Sequence, residues 1–313
     1  MGQLRPPSAH QNWVRSTGPP RPEPRPFIVV LARAAVTLDD RSGPCAVPEV
    51  EVRVLGPVEV TGGARPFVRA GSLELVVYLA MHRRGVSTER WATALWPDRL
   101  PAAPTLHSTS SDARRALGRS VAGADHLPRR QGSLRLAQTV GCDRDRLVGL
   151  AGSADPAAWR TGLSLVRGRP FEDLRWPDWT VLEGHAAATE DAVVRLATRL
   201  AEHELDRGDG GAAEWAVRRG LSASPYDERL YRLLLQAADQ QGNPAGVESA
   251  MAELIGLLGG AGPAGGRPGG AFTTPGATGW VHPQTAALYR SLTRGRPPPA
   301  DAPSGCRVSS RHG

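Results

Sequence analysis

At 313 residues the chain is long enough for two domains that each bury a core, and its net charge of +7 rests on 38 basic residues that are all arginine. Without lysine, a phosphate-cradling loop ending in Gly-Lys-Ser/Thr and a lysine Schiff base are both excluded. The charge is divided: residues 49–147 carry 15 arginines against 10 acidic residues, and residues 148–258 carry 11 against 17, so a polyanion is expected to meet the first half.

Cys45, Cys142 and Cys306 are far apart and match no zinc or redox spacing. So few cysteines suit a reducing compartment. The most apolar stretch, Phe27–Leu38, is interrupted by Arg33 and falls short of the ~18 residues that cross a bilayer. A cytoplasmic chain with no membrane insertion is expected.

Residues 1–48 are rich in Pro and Arg and cannot bury enough apolar surface to offset their ordering entropy, so they read as a disordered extension. Val50, Val52 and Val54 alternate with Glu51 and Arg53, and Val58 and Val60 follow the Gly56–Pro57 turn; this period of two predicts short strands, with Phe67–Val68 as a third. Leu73, Val76, Val77 and Ala80 predict a helix over 71–81 that ends before Gly85. Ser87 is placed to cap a second helix, Thr88–Leu95, with Glu89 in its first turn.

Pro104 opens a third helix over 104–118. Leu106, Thr109, Ser110, Ala113, Ala116 and Leu117 form its inner stripe. Thr105, His107, Ser108, Ser111, Asp112, Arg114 and Arg115 are left outside. Short hydroxyls, a histidine and arginines suit base edges and phosphates in a major groove. Leu127–Arg129 and Ser133–Leu136 flank Arg130–Gln131–Gly132 as a short hairpin, whose Arg129, Arg130 and Gln131 are candidate backbone contacts. Strands, three helices and then a basic hairpin are the layout of a winged helix-turn-helix over 49–140.

The VRVLGPVEV opening (Val52–Val60), VSTERWATALWPD (Val86–Asp98) and TLHSTSSDARRAL (Thr105–Leu117) resemble the antibiotic-regulatory-protein (SARP-type) transcriptional activators. The resemblance implies an OmpR-like winged helix followed by a helical-repeat bacterial transcriptional activator domain, with promoter DNA and RNA polymerase as partners. The chain departs from that family in the third helix. Asp112 stands where a basic residue is usual, and Ser110 and Ala113 stand where bulky aliphatics are usual. An aspartate facing DNA would repel phosphate.

The second half reads as helix. Asp155–Pro156 predicts a cap for Ala157–Val166, Gly168–Phe171 a break, and Val181–Arg207 a nearly continuous amphipathic helix. The Gly-rich breaks at Arg207–Ala212 and Gln241–Gly246 recur 34 residues apart, the period of tetratricopeptide repeats. Ser224 is placed to cap a helix begun by Pro225. The expected organisation is a repeat domain over 141–258, a Gly/Pro-rich linker over 259–279, a last repeat helix within 280–294 and a disordered tail over 295–313.

His185–Glu190 and His203–Glu204 lack the spacing of a helical zinc motif, and no nucleophile elbow or dinucleotide fingerprint stands out. Asp143 and Asp145 beside Arg144 and Arg146 read as a solvated charge cluster. No catalytic residue, metal site or cofactor is therefore expected, and the chain does not read as an enzyme. The expected fold is mainly α with a small β part: a winged helix, then TPR-like helices. The expected function is a DNA-binding transcriptional regulator whose second half makes protein contacts, with a homodimer among them. The second reading is an interaction module whose degenerate winged helix has lost DNA, and Asp112 favours it.

Overall fold

The alternation from Val50 to Val54 forms strand β1 (Val50–Arg53), whose valines are fully buried. β1 pairs antiparallel with β2 (Glu59–Thr61) and parallel with β5 (Val140–Cys142), giving the sheet order β2-β1-β5. Between these strands lie α1 (Ala70–Met81), α2 (Thr88–Leu95) and α3 (Ala103–Leu117). A second, two-stranded sheet pairs β3 (Val86–Ser87) antiparallel with β4 (Ser133–Leu134). The computed structural model describes residues 48–129, 132–259 and 281–294. The expected disordered extension and tail, the flexible linker, and Arg130 and Gln131 of the hairpin lie outside the described residues.

Local signals were realised where they were strongest. Ser87 caps α2 by accepting from the Arg90 N–H, and Pro104 lies in the first turn of α3. Two expected β features differ. Phe67–Val68 forms no strand. Residues 127–129 do not ladder with 133–136; β4 turns to β3 instead, burying Val86 against Leu134. Pro128 has no N–H to donate and Leu127 is committed to the core, so that segment cannot sustain a ladder. Among the described residues one backbone bond crosses there, from the Ala137 N–H to the His126 carbonyl at 2.9 Å.

The second half comprises α4 (Asp143–Ala151), α5 (Pro156–Ser164), α6 (Asp178–Leu182), α7 (His185–Asp206), α8 (Gly210–Ala223), α9 (Glu228–Gln240), α10 (Pro244–Gly259) and α11 (Pro283–Thr293). Asp155 caps α5 as expected. The nearly continuous helix expected from Val181 to Arg207 is interrupted at Gly184, which takes φ +74° between α6 and α7. The cap expected from Ser224 comes from Asp227, whose carboxylate accepts from the Arg229 N–H at 2.9 Å. Successive helices α7 to α10 pack on their neighbours, and α11 returns onto α9 and α10. Glu228 fastens α11 by accepting from the His282 N–H and the Thr285 hydroxyl.

Two hydrophobic cores result, and each borrows from the other half. Leu55, just after β1, joins the helical core, while Phe171 and Trp179 join the core of the first half. Residues 140 and 141 lie together in β5. Asp143 is not in a solvated cluster: it is fully buried, accepting from the Val54 N–H at 2.8 Å and the Leu55 N–H at 3.1 Å. Two backbone donors with no other partner draw it inward.

Candidate nucleic-acid interface

α3 is held against α1 along the stripe read from its spacing. Ala113, Ala116 and Leu117 are buried, and the Ser72 hydroxyl donates to the Thr109 carbonyl at 3.1 Å. Ser110 is buried too, its hydroxyl donating to the His107 carbonyl at 3.1 Å, so a small polar residue is accommodated where an aliphatic was expected. The C-terminal end is fixed by Gly118, whose φ is +77° and where a Cβ would fall 2.5 Å from the Ala64 Cβ, so that only glycine fits. The Arg65 N–H meets the Ala116 carbonyl at 3.2 Å, wrapping the β2–α1 loop over this end.

The outer face of α3 presents Thr105, His107, Ser111 and Arg115 to solvent, with Ser108 half-buried beside them. Ser108 is engaged on both sides. Its hydroxyl donates to the Thr105 carbonyl at 2.9 Å and accepts from Arg69 Nη1 at 2.5 Å. Arg69, the residue before α1, therefore belongs to this face, although its position 39 residues upstream gave no sign of it. Only the packing of α1 on α3 reveals the connection.

Two expected site residues are placed differently. Asp112 does not face outward; it is 6% exposed and lies 3.5 Å from Arg115 on the next turn. Its position, three residues from Thr109 and four from Ala116, puts it at the inner edge of the stripe. An arginine introduced at 112 would thus enter the packed side of the helix rather than strengthen contact with phosphate.

Arg114 is half-buried, and its Nε donates to the Leu127 carbonyl at 3.2 Å. Burial and then the nearby Arg129 charge lower its pKa from the ordinary arginine value, with Asp125 opposing. It therefore ties α3 to the segment leading toward β4. Arg129 itself is exposed and lies close enough to Arg114 to feel its charge. Arg65, Arg69 and Arg129 have no acidic ion-pair partner among the described residues. Three hydroxyls, an imidazole and the guanidinium groups of Arg69 and Arg115 form an anion-attracting face on this helix.

Comparison with known proteins adds to this geometry. Residues 150–254 match the family described as bacterial transcriptional activator domain. Among solved structures, the chain is similar in fold to Mycobacterium tuberculosis EmbR, solved in complex with a low affinity phosphopeptide, at 24% identity and a TM-score of 0.53. That similarity covers 80% of this chain and 66% of the other, so the chain spans just under two thirds of that protein's length. No curated protein sequence matches. Segment 150–254 thus matches the bacterial transcriptional activator domain family, and the chain shares its fold with EmbR over most of its length.

Proposed function

We propose that the chain regulates transcription by binding promoter DNA through a winged helix in the first half, with α3 in the major groove. Thr105, His107, Ser108 and Ser111 meet base edges, while Arg115, Arg69 and Arg129 neutralise phosphates. Arg130 and Gln131, which lie outside the described residues, are the further backbone contacts expected of the wing. Arg114 is a positioning residue that keeps the segment carrying Arg129 next to α3. The observation that carries this reading is the 3.2 Å hydrogen bond from Arg114 Nε to the Leu127 carbonyl, which ties the helix to the segment that carries Arg129 two residues on.

The second half supplies the protein contacts, with RNA polymerase and a second copy of the chain as the partners to seek. Such work belongs in the cytoplasm of a bacterial cell, where the DNA is; among the described residues no helix is long and apolar enough to cross a membrane. The reading as an interaction module without DNA loses its main support once Asp112 is turned inward.

A mobility-shift titration against salt tests the proposal. Affinity should fall steeply and linearly on logarithmic axes, and Arg129→Ala should lower the slope by about one unit. Arg69→Ala should act in the same way. A flat salt dependence in the full chain would overturn DNA binding, and an unchanged slope in Arg129→Ala would remove the wing contact.

A further inference from the structure

A separate polar cluster lies where the first half meets α6 and α7. His82 caps the C-terminus of α1, and Glu183 and His185 flank Gly184 in the turn between α6 and α7. The positive φ of Gly184 bends the chain so that both of its neighbours reach His82. Glu183 Oε2 lies 2.8 Å from His82 Nε2 and 3.4 Å from His185 Nε2. The three ligating atoms all fall within 4.8 Å of one another. All three side chains are shielded from solvent, at 12%, 26% and 19% exposure for His82, Glu183 and His185.

We propose that His82, Glu183 and His185 form a binding site for a divalent transition-metal ion of the zinc class, which pins the end of α1 to the α6–α7 turn. Two imidazoles and a carboxylate are a borderline donor set suited to zinc. Bonds of about 2.0–2.2 Å place neighbouring ligands of a tetrahedral ion about 3.3–3.6 Å apart. The spacing from Glu183 to His185 already lies in that range, and His82 needs to give by about half an ångström. A solvent molecule completes the fourth position.

The hydrogen bonds around the cluster have the pattern of a metal site's outer shell. His82 Nδ1 lies 2.8 Å from the Tyr78 carbonyl, and Tyr78 donates its hydroxyl to Glu183 Oε1 at 2.9 Å. A ligating histidine characteristically uses its other nitrogen in this way, which fixes the tautomer and aims the lone pair. With Nδ1 held by the Tyr78 carbonyl, Nε2 is the nitrogen left to meet an ion, which takes the place of the Nε2 proton on binding. Arg90 Nη2, 3.4 Å from His82 Nε2 and 3.8 Å from Glu183 Oε2, is the competing cation at the mouth. Its side chain is 59% exposed and free to swing outward when an ion enters. No sequence motif announces the site, because His82 lies a hundred residues from the other two. It does not depend on the DNA-binding reading.

The experiment uses the full, tag-free chain after chelation and dialysis, titrated calorimetrically with Zn²⁺ and spectroscopically with Co²⁺. The wild type should bind one equivalent in a saturable step, show the visible bands of low-coordinate Co²⁺, and melt at higher temperature with Zn²⁺ than without. His82→Gln and His185→Gln should each weaken binding by at least about tenfold. His203→Gln, at a histidine packed on Trp159 away from the cluster, should leave binding unchanged. No saturable binding by the wild type, or binding that survives in the double variant His82→Gln/His185→Gln, would overturn the site. Arg90→Ala guards against a double variant that fails to fold. It keeps all three ligands and removes the rival charge, so Zn²⁺ should bind it more tightly, and equal or weaker binding would count against the proposal.

Discussion

Arginine is used differently in the two halves of the molecule. In the second half the guanidinium groups are largely engaged by the fold itself. Arg160 meets Glu204 at 3.0 Å, Arg218 meets Glu253 at 2.6 Å, Arg229 meets Asp227 at 2.6 Å, and Arg199 lies over the Trp159 ring at 3.9 Å. Around α3, by contrast, Arg65, Arg69 and Arg129 find no acidic ion-pair partner among the described residues. Net charge per half pointed the same way, but the structure supplies the reason. What makes a basic face available to a polyanion is the absence of local carboxylates, not the number of arginines.

The comparison would break if the halves proved separable, and Asp143 offers the largest test. It begins α4 yet holds the two backbone N–H groups that follow β1. Replacing it with alanine orphans both donors inside the protein and should cost about 3–5 kcal/mol in urea unfolding, with one cooperative transition lost or shifted as a whole. A cost below about 1 kcal/mol would mean that the first half stands without this anchor. Gly118→Ala comes next. It forces an L side chain into a positive φ and against Ala64, and should cost about 1–3 kcal/mol. Because that strain falls on the end of α3, DNA affinity should fall with it.

The contrast in arginine use is sharpened by a paired substitution. Arg115→Ala should weaken DNA binding and flatten its salt dependence by about one unit of slope, while Arg218→Ala should leave both unchanged. Arg115 spends part of its charge on Asp112 at 3.5 Å, so its effect should be no larger than that of the unpaired Arg129. Equal effects from Arg115 and Arg218 would show that DNA reads overall charge and not this face.

Much of this was legible because it is local. The α1, α2 and α3 stripes, the Ser87 and Asp155 caps and the helix breaks at 207–212 and 241–246 depend on neighbours within a turn or two. Asp112, Arg114 and Asp143 were misread for a shared reason: a pattern-based reading sends every charge to solvent. Their actual places are set by partners that spacing does not show, such as the Leu127 carbonyl for Arg114 and Val54 and Leu55, nearly ninety residues away, for Asp143. Arg69 was missed in the same way, since its link to Ser108 exists only once α1 and α3 have packed.

Glu74 gives the most specific test of how the halves are joined. It lies on α1, only 2% exposed, and one carboxylate oxygen accepts from the N–H groups of Arg175 and Trp176 in the segment before α6. The other oxygen, Oε2, has no hydrogen-bond partner. Burial pushes its pKa from 4.5 up to about 7, against the opposing pull of those two N–H groups and the Arg175 charge. A raised carboxyl pKa means that the folded state holds its proton over a pH range in which the unfolded chain has released it. Stability should therefore be highest below about 4.5 as far as this group is concerned, and decline as pH rises toward 7. Glu74→Gln keeps an oxygen for both N–H groups and removes the titration. Unfolding free energy measured across that window should then lose its downward slope, and a slope identical to that of the wild type would assign the pH dependence to other groups.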